Sequence, residues 1–222
     1  MNSPLAPPKA SPEASLLAFQ QWLSPAFPTG SFAYSQGMEV PMAARELHDA
    51  AGVARYLSDI LRFGSGRTDA ILLCHAARTD SDLDALAILA EALAPTAERL
   101  REIREIGAAV TALTNALNGT DHPPRPHAVA LGAAARRLDL PRPRLAQMFL
   151  QAQAATLLSA ATRFIPLGQT EAQLALARLA PLILDLGEEA ATAPLDSIGA
   201  ATFRADLASA AHETLDVRIF RT

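Results

Sequence analysis

Apolar residues recur every three to four positions along most of this chain, a spacing that predicts helices almost throughout. Residues 15–23 form a first amphipathic piece, with Leu16, Phe19, Trp22 and Leu23 apolar. Val53, Leu57, Ile60 and Leu61 then stand at helical spacing, and the glycines of "FGSG" predict a left-handed cap after them. Thr68 is placed to cap a helix running through Ile71 and Leu72 toward Ala77, and Ser81 to cap one over 82–94 that Pro95 stops. Thr96 opens a long helix to about Leu117, with Leu100, Ile103, Gly107, Val110, Thr114 and Leu117 as its stripe. "NGTDHPPRP" must be a loop, because its prolines lack N–H donors and fix φ. Helices follow over 127–138, over 143–164 and after "PLGQT", where Thr170 reads as N-cap and Pro181 as a kink. A last helix spans 203–214, with Phe203, Leu207, Ala211 and Leu215 on one side, and "VRIFRT" trails from it. No stretch alternates like a strand and no repeat occurs. The fold expected is an all-α, single-domain bundle of about eight to ten helices over 15–222, behind a disordered tail over 1–14.

"SPAFPTGSFAYSQGMEV", residues 24–40, breaks this pattern. It sets prolines, glycines and aromatics between hydroxyls, with Glu39 as its only acid and no Cys, His or Lys. Elsewhere aromatics are scarce, 5% of the chain, so small apolar side chains must build the core. Residues 145–162 carry no formal charge and approach membrane-spanning length, but Gln147, Gln151, Gln153, Thr156 and Ser159 interrupt them. A central helix surrounded by protein is expected there, and no membrane span. The net charge of −4 and the absence of a Lys/Arg run argue against nucleic acid as a partner. Cys74 is the only cysteine, which excludes a disulfide framework and points to a reducing compartment. The first residues lack the charged and apolar regions of a secretory leader, so none is expected.

Candidate chemistry is thin. Asp80, Asp82, Asp84 and Glu91 occupy calcium-loop positions, but the required glycine is Ala85; three acids at a helix start also simply suit its dipole. Cys74 and His75 are adjacent, so they point about 100° apart on a helix and do not easily grip one ion. His122 and His127 flank the proline loop and read as solvated loop residues before metal ligands. His212 and Glu213, being consecutive, do not face each other, which favours a structural or interface role over acid–base work. "PLGQT" has one glycine and no lysine, so it is no phosphate loop. No catalytic residue, metal ligand or cofactor is assigned.

Three stretches together resemble the urease accessory protein UreF family. "SPAFPTGSFAYSQGMEV" is similar to that family's S-P-x-x-P-x-G-x-F-x-x-S-x-G-[LM]-E opening, "RFIPLGQTEAQ" to its R-x-x-P-L-G-Q-T-[DE]-x-Q, and "HETLDVRIFRT" to its H-E-x-x-x-x-R-[LI]-F-R-[ST] ending. Order and spacing agree over residues 15–222. Asp216 and Val217 stand where the family often has Tyr and a small hydroxyl residue, and Phe27 replaces an aliphatic.

The resemblance implies a cytoplasmic, non-catalytic, all-α chaperone. Such a protein would bridge the UreD (UreH) accessory protein and the nickel-carrying GTPase UreG, and so serve nickel insertion into apo-urease. It would form a homodimer within a larger complex. It also implies partner-binding roles for Gly30, Ser31, Phe32, Tyr34, Ser35, Gly37 and Glu39 in the opening, and for His212, Glu213, Arg218, Ile219, Phe220 and Arg221 in the ending. The two ends are expected to converge on one contact surface, with Arg218 and Phe32 toward the GTPase and Ile219 and Phe220 ordering on the UreD-type partner. Two alternatives stand beside this. One is a GTPase-activating protein donating Arg218 or Arg221 in trans. The other is a helical enzyme built on a buried acid pair among Asp80, Asp82 and Asp84.

Overall fold

A computed structural model describes residues 11–222. Ten α-helices hold most of the described residues: α1 Pro12–Trp22, α2 Glu39–Ala43, α3 Ala50–Phe63, α4 Ser65–Ala76, α5 Leu83–Ala92, α6 Ala97–Asn118, α7 His127–Ala135, α8 Arg142–Phe164, α9 Gln169–Thr192 and α10 Phe203–His212. Short 3₁₀ turns lie at Ser31–Ala33 and Leu195–Ser197, and no strand occurs among the described residues. Most of the tail expected over 1–14 lies outside the described residues. Its last residues are helical instead, because Ser11 accepts from the Ala14 N–H and Pro12 suits the first turn of α1.

α4 is the hub. Ala70, Ile71, Leu72, Leu73 and Cys74 are consecutive and all buried, so this helix is covered on every side. It packs against α3, α7, α8 and α9, while α8 and α9 form the most extensive helix pair. The segment expected to be central, now α8, is amphipathic: Phe149, Leu150, Ala154 and Leu157 face the core, and Gln151 and Ser159 face solvent. Its uncharged residues reflect close helix packing, and no described helix is long and apolar enough to cross a membrane.

Several expected caps move. Gly64 joins α3 directly to α4 at φ −125°, not in the left-handed region, so Thr68 lies inside α4. Asp82, not Ser81, caps α5 by accepting from Asp84 and Ala85. α9 begins at Gln169, where the Glu171 carboxylate accepts the Gly168 N–H, and so Thr170 is no cap; the helix continues through Pro181. Thr96 caps α6 as expected, and Gly119 closes it at φ +64°.

Two expected faces differ more. On α6 the expected Ile103, Gly107, Val110 and Thr114 are buried, but the buried side also includes Glu98, Arg99 and Glu102, while Leu117 is exposed. On α10 the buried residues are Ala208, Ser209 and His212, and Phe203 and Leu207 point to solvent. α10 is therefore turned by its polar residues, which enter the network described below.

Close packing of α6 on the chain entering α7 depends on Gly107. A Cβ there would sit 2.0 Å from the Arg125 carbonyl oxygen and 2.7 Å from the His127 nitrogen, both backbone atoms that cannot swing aside. Gly107→Ala is expected to lower unfolding stability by about 1–3 kcal/mol, read from denaturant midpoints, despite alanine's higher helix propensity.

Candidate functional site

The opening loop folds through local hydrogen bonds. Ser24 Oγ accepts from the Ala26 N–H, Gly30 turns at φ +75°, and a 3₁₀ turn carries Ser31, Phe32 and Ala33. Gln36 and Gly37 follow, both in the left-handed region, and turn the chain into α2. Gly37 has a second constraint, because a Cβ would lie 2.5 Å from the backbone of Ser209 on α10.

After α10 the chain turns and runs back along this loop. The Arg221 N–H donates to the Ala33 carbonyl and the Ser35 N–H to the Thr222 main-chain oxygen, each at 2.8 Å. Ser35 Oγ donates to the same Thr222 oxygen at 2.6 Å. "VRIFRT" is thus docked against the opening loop, with Phe220 2% exposed, and does not trail.

Glu39, 4% exposed, is the anchor. Its carboxylate accepts the Ile219 N–H at 2.9 Å and the Phe220 N–H at 3.0 Å, and it meets His212 Nε2 at 3.3 Å. His212 Nδ1 meets the Glu98 carboxylate at 2.7 Å. Both ring nitrogens thus face carboxylate oxygens. Arg218 donates to Glu98, and the Glu213 carboxylate accepts the Glu98 N–H in the first turn of α6. The consecutive pair His212–Glu213 therefore does two separate jobs around one helix start.

Arg163 closes the other side. It donates to the Phe32 carbonyl at 2.6 Å and lies 4.8 Å above the Phe220 ring, joining both motifs to the end of α8. Tyr34 donates to Glu105 at 2.6 Å, and Arg221 donates to the same carboxylate. Burial, with Glu105 alongside, pushes the Tyr34 phenol up to about 12.

The structure thus brings the two sequence motifs together, but sorts their residues. Tyr34, Ser35, Gly37, Glu39, His212 and Phe220 are buried and form the joint. Phe32, Glu213, Arg218, Ile219 and Arg221 are exposed, and Gly30 and Ser31 are half-buried. Phe32 and Ile219 are 64% and 66% exposed, large apolar groups held out by a rigid base.

Beneath the joint lies a second polar cluster that the sequence reading missed. Arg99 bridges Asp69 at 2.7 Å and Glu102; Glu102 also accepts from Gln36 and from the Thr222 hydroxyl. Two small cavities, of about 70 and 60 Å³, share Gln36, Asp69 and Arg99 as their common wall. Glu98, Glu102 and Glu105 fall at i, i+4 and i+7 on α6, a periodicity visible in the sequence as a charged stripe.

His127, which burial pulls down to about 3, is neutral and packs against Phe149 with ring centroids 5.5 Å apart and planes tilted by 58°. Burial pushes the Cys74 thiol up to about 12, far from a reactive thiolate, and His75 is tied to the Ala193 carbonyl. The acids of the enzyme reading are not a buried pair: Asp80 binds Arg78, Asp82 caps α5, and Asp84, 82% exposed, binds Arg125. No group of three His, Cys, Asp or Glu able to hold a metal occurs among the described residues.

Glu39→Ala would leave two main-chain donors and His212 unanswered in the interior. It is expected to cost about 3–5 kcal/mol and to make the bonds flanking Val217 sensitive to limited proteolysis. Asp69 yields a pH prediction. Burial pushes its carboxyl up from 3.8 to about 6, against the pull of Arg99. The folded chain therefore holds this proton more tightly than the unfolded chain. The group's contribution is full below pH 3.8 and is lost as pH rises through about 6. Urea midpoints measured across that window should decline more gently in Asp69→Asn than in the parent.

The chain's likeness to known proteins covers most of its length. The UreF family profile matches residues 47–180. A urease accessory protein UreF of Cereibacter sphaeroides is 58% identical over 209 residues, covering 94% of this chain and 99% of that protein. Those of Jannaschia sp. and Paracoccus denitrificans are 45% and 44% identical, over 93% and 96% of this chain and 94% and 98% of their own lengths. On the profile match and on relatives this similar over nearly the whole chain, the chain belongs to the UreF family.

Proposed function

We propose that this chain is a urease maturation chaperone that works as a non-catalytic scaffold in the cytoplasm. It bridges a UreD/UreH-type accessory protein and a UreG-type GTPase, as a homodimer, for nickel insertion into apo-urease. The observation that carries this reading is the pairing of a buried joint with exposed contact groups. Phe32, Ile219 and Arg221 stand next to one another because Ala33 pairs with Arg221 and Arg163 ties the Phe32 backbone to the Phe220 ring. Phe203 and Leu207 on α10, 77% and 70% exposed, add apolar area on the element that carries the ending. Such groups suit recognition, since a fixed backbone lowers the entropy lost on binding.

A GTPase-activating role is the second reading. Arg221, its side chain 65% exposed, is the freer candidate; Arg218 is held by buried Glu98. GTP turnover by the partner, measured with and without this chain, separates the two readings. A rise of about 10³-fold or more, abolished in Arg221→Ala, would favour activation.

The scaffold itself is tested with exposed residues, whose loss leaves the joint intact. Phe32→Ala combined with Ile219→Ala should keep the parent's unfolding midpoint. It should weaken co-purification with the UreD-type and UreG-type partners by about 2 kcal/mol or more, and lower urease activation in the same strain. Unaltered capture of both partners would place their binding elsewhere.

A further inference from the structure

At the other end of α8, about 30 Å along the helix from Arg163, lies an open groove unconnected to the joint. Its volume is about 570 Å³, room for several side chains rather than one ion. Arg78 follows the C-terminus of α4, Arg136 ends α7 and Arg142 begins α8, so three separate elements each place a guanidinium in its wall. Asp80 is the only acid there. The chain as a whole carries a net charge of −4, so this local excess of positive charge runs against the rest of the molecule.

Each arginine has a different standing. Arg78 is answered, holding Asp80 through two hydrogen bonds of 3.0 and 2.8 Å. Arg136 is fixed but not neutralised: it donates to the carbonyls of Ala76 and Ser81, which bear no formal charge. Burial and the Arg125 charge pull its pKa down, so a bound anion would relieve it. Arg142 has no carboxylate within salt-bridge distance among the described residues. It also stands in the first turn of a 23-residue helix with no acid beside it, where the helix dipole opposes a cation. Helix stability therefore does not select arginine at that position.

We propose that this groove binds a run of aspartate or glutamate side chains on a partner polypeptide. The Arg78–Asp80 pair already shows a carboxylate seated two-pronged on a guanidinium of this wall, the geometry that favours carboxylate recognition by arginine. The open form and the spread of charge over three elements fit an extended acidic segment better than a single small anion. This surface is independent of the opening and closing motifs.

The test is fluorescence anisotropy of the full chain with a fluorescein-labelled hexaglutamate peptide at low ionic strength. Saturable binding is expected, weakened about tenfold by Arg142→Glu and little changed by Arg144→Glu. Arg144 is exposed in the same turn but outside the groove, so it controls for general charge attraction. Arg142→Glu places an acid at a helix N-terminus and should not destabilise the fold, which circular dichroism checks. Three results would overturn the proposal: no saturable binding, equal weakening by both variants, or displacement of the peptide by an equimolar amount of inorganic phosphate.

Discussion

A buried carboxylate must be answered or the fold loses several kcal/mol, and in this chain the answer to Glu39 comes from residues 180 positions away. Ile219 and Phe220 offer main-chain N–H groups and His212 offers a ring nitrogen. His212 then hands the network to Glu98, and Glu98 to Arg218. Glu39, Glu98 and His212 are buried, so each depends on the partners that the next one brings. The opening loop, the start of α6, the end of α10 and the last residues become one structural unit through that dependence.

The helical frame serves this unit. α4 fixes the centre, and α6 carries Glu98, Glu102 and Glu105 on one face beneath both motifs. Gly37 lets α10 cross the opening loop at backbone distance, and Arg163 brings the end of α8 to the same place. What reaches the surface is a small set of groups, Phe32, Ile219 and Arg221 among them, already held in place before any partner arrives. A contact surface of this kind gains affinity through pre-organisation rather than through ordering on binding.

Helix existence and order were legible because the 3.6-residue period is strong, and Thr96 and the proline loop gave sharp boundaries. Faces were less legible. Phe203 and Leu207 read as a core stripe, yet the burial of Ser209 and His212 turned α10 the other way, because an unanswered polar network costs more than two exposed apolar side chains. The stripe on α6 is buried at Ile103, Gly107, Val110 and Thr114, but hydrophobic periodicity does not see buried Glu98, Arg99 and Glu102 beside it. The motifs singled out residues at the two ends, but not that about half of them are internal. That division rests on partners more than a hundred residues apart, which no local pattern encodes. Arg163 was within a quoted motif, and its role emerged only when Phe32 and Phe220 were seen on either side of it.

The central claim is that the ending is held by Glu39 in the isolated chain, before any other protein binds. Amide hydrogen exchange at Ile219 and Phe220, measured by NMR on the chain alone, addresses it directly. Strong protection at both amides, comparable to that inside α10, is the expected result. Exchange at the rate of an unstructured peptide would contradict it and would mean that the ending is ordered only by a partner.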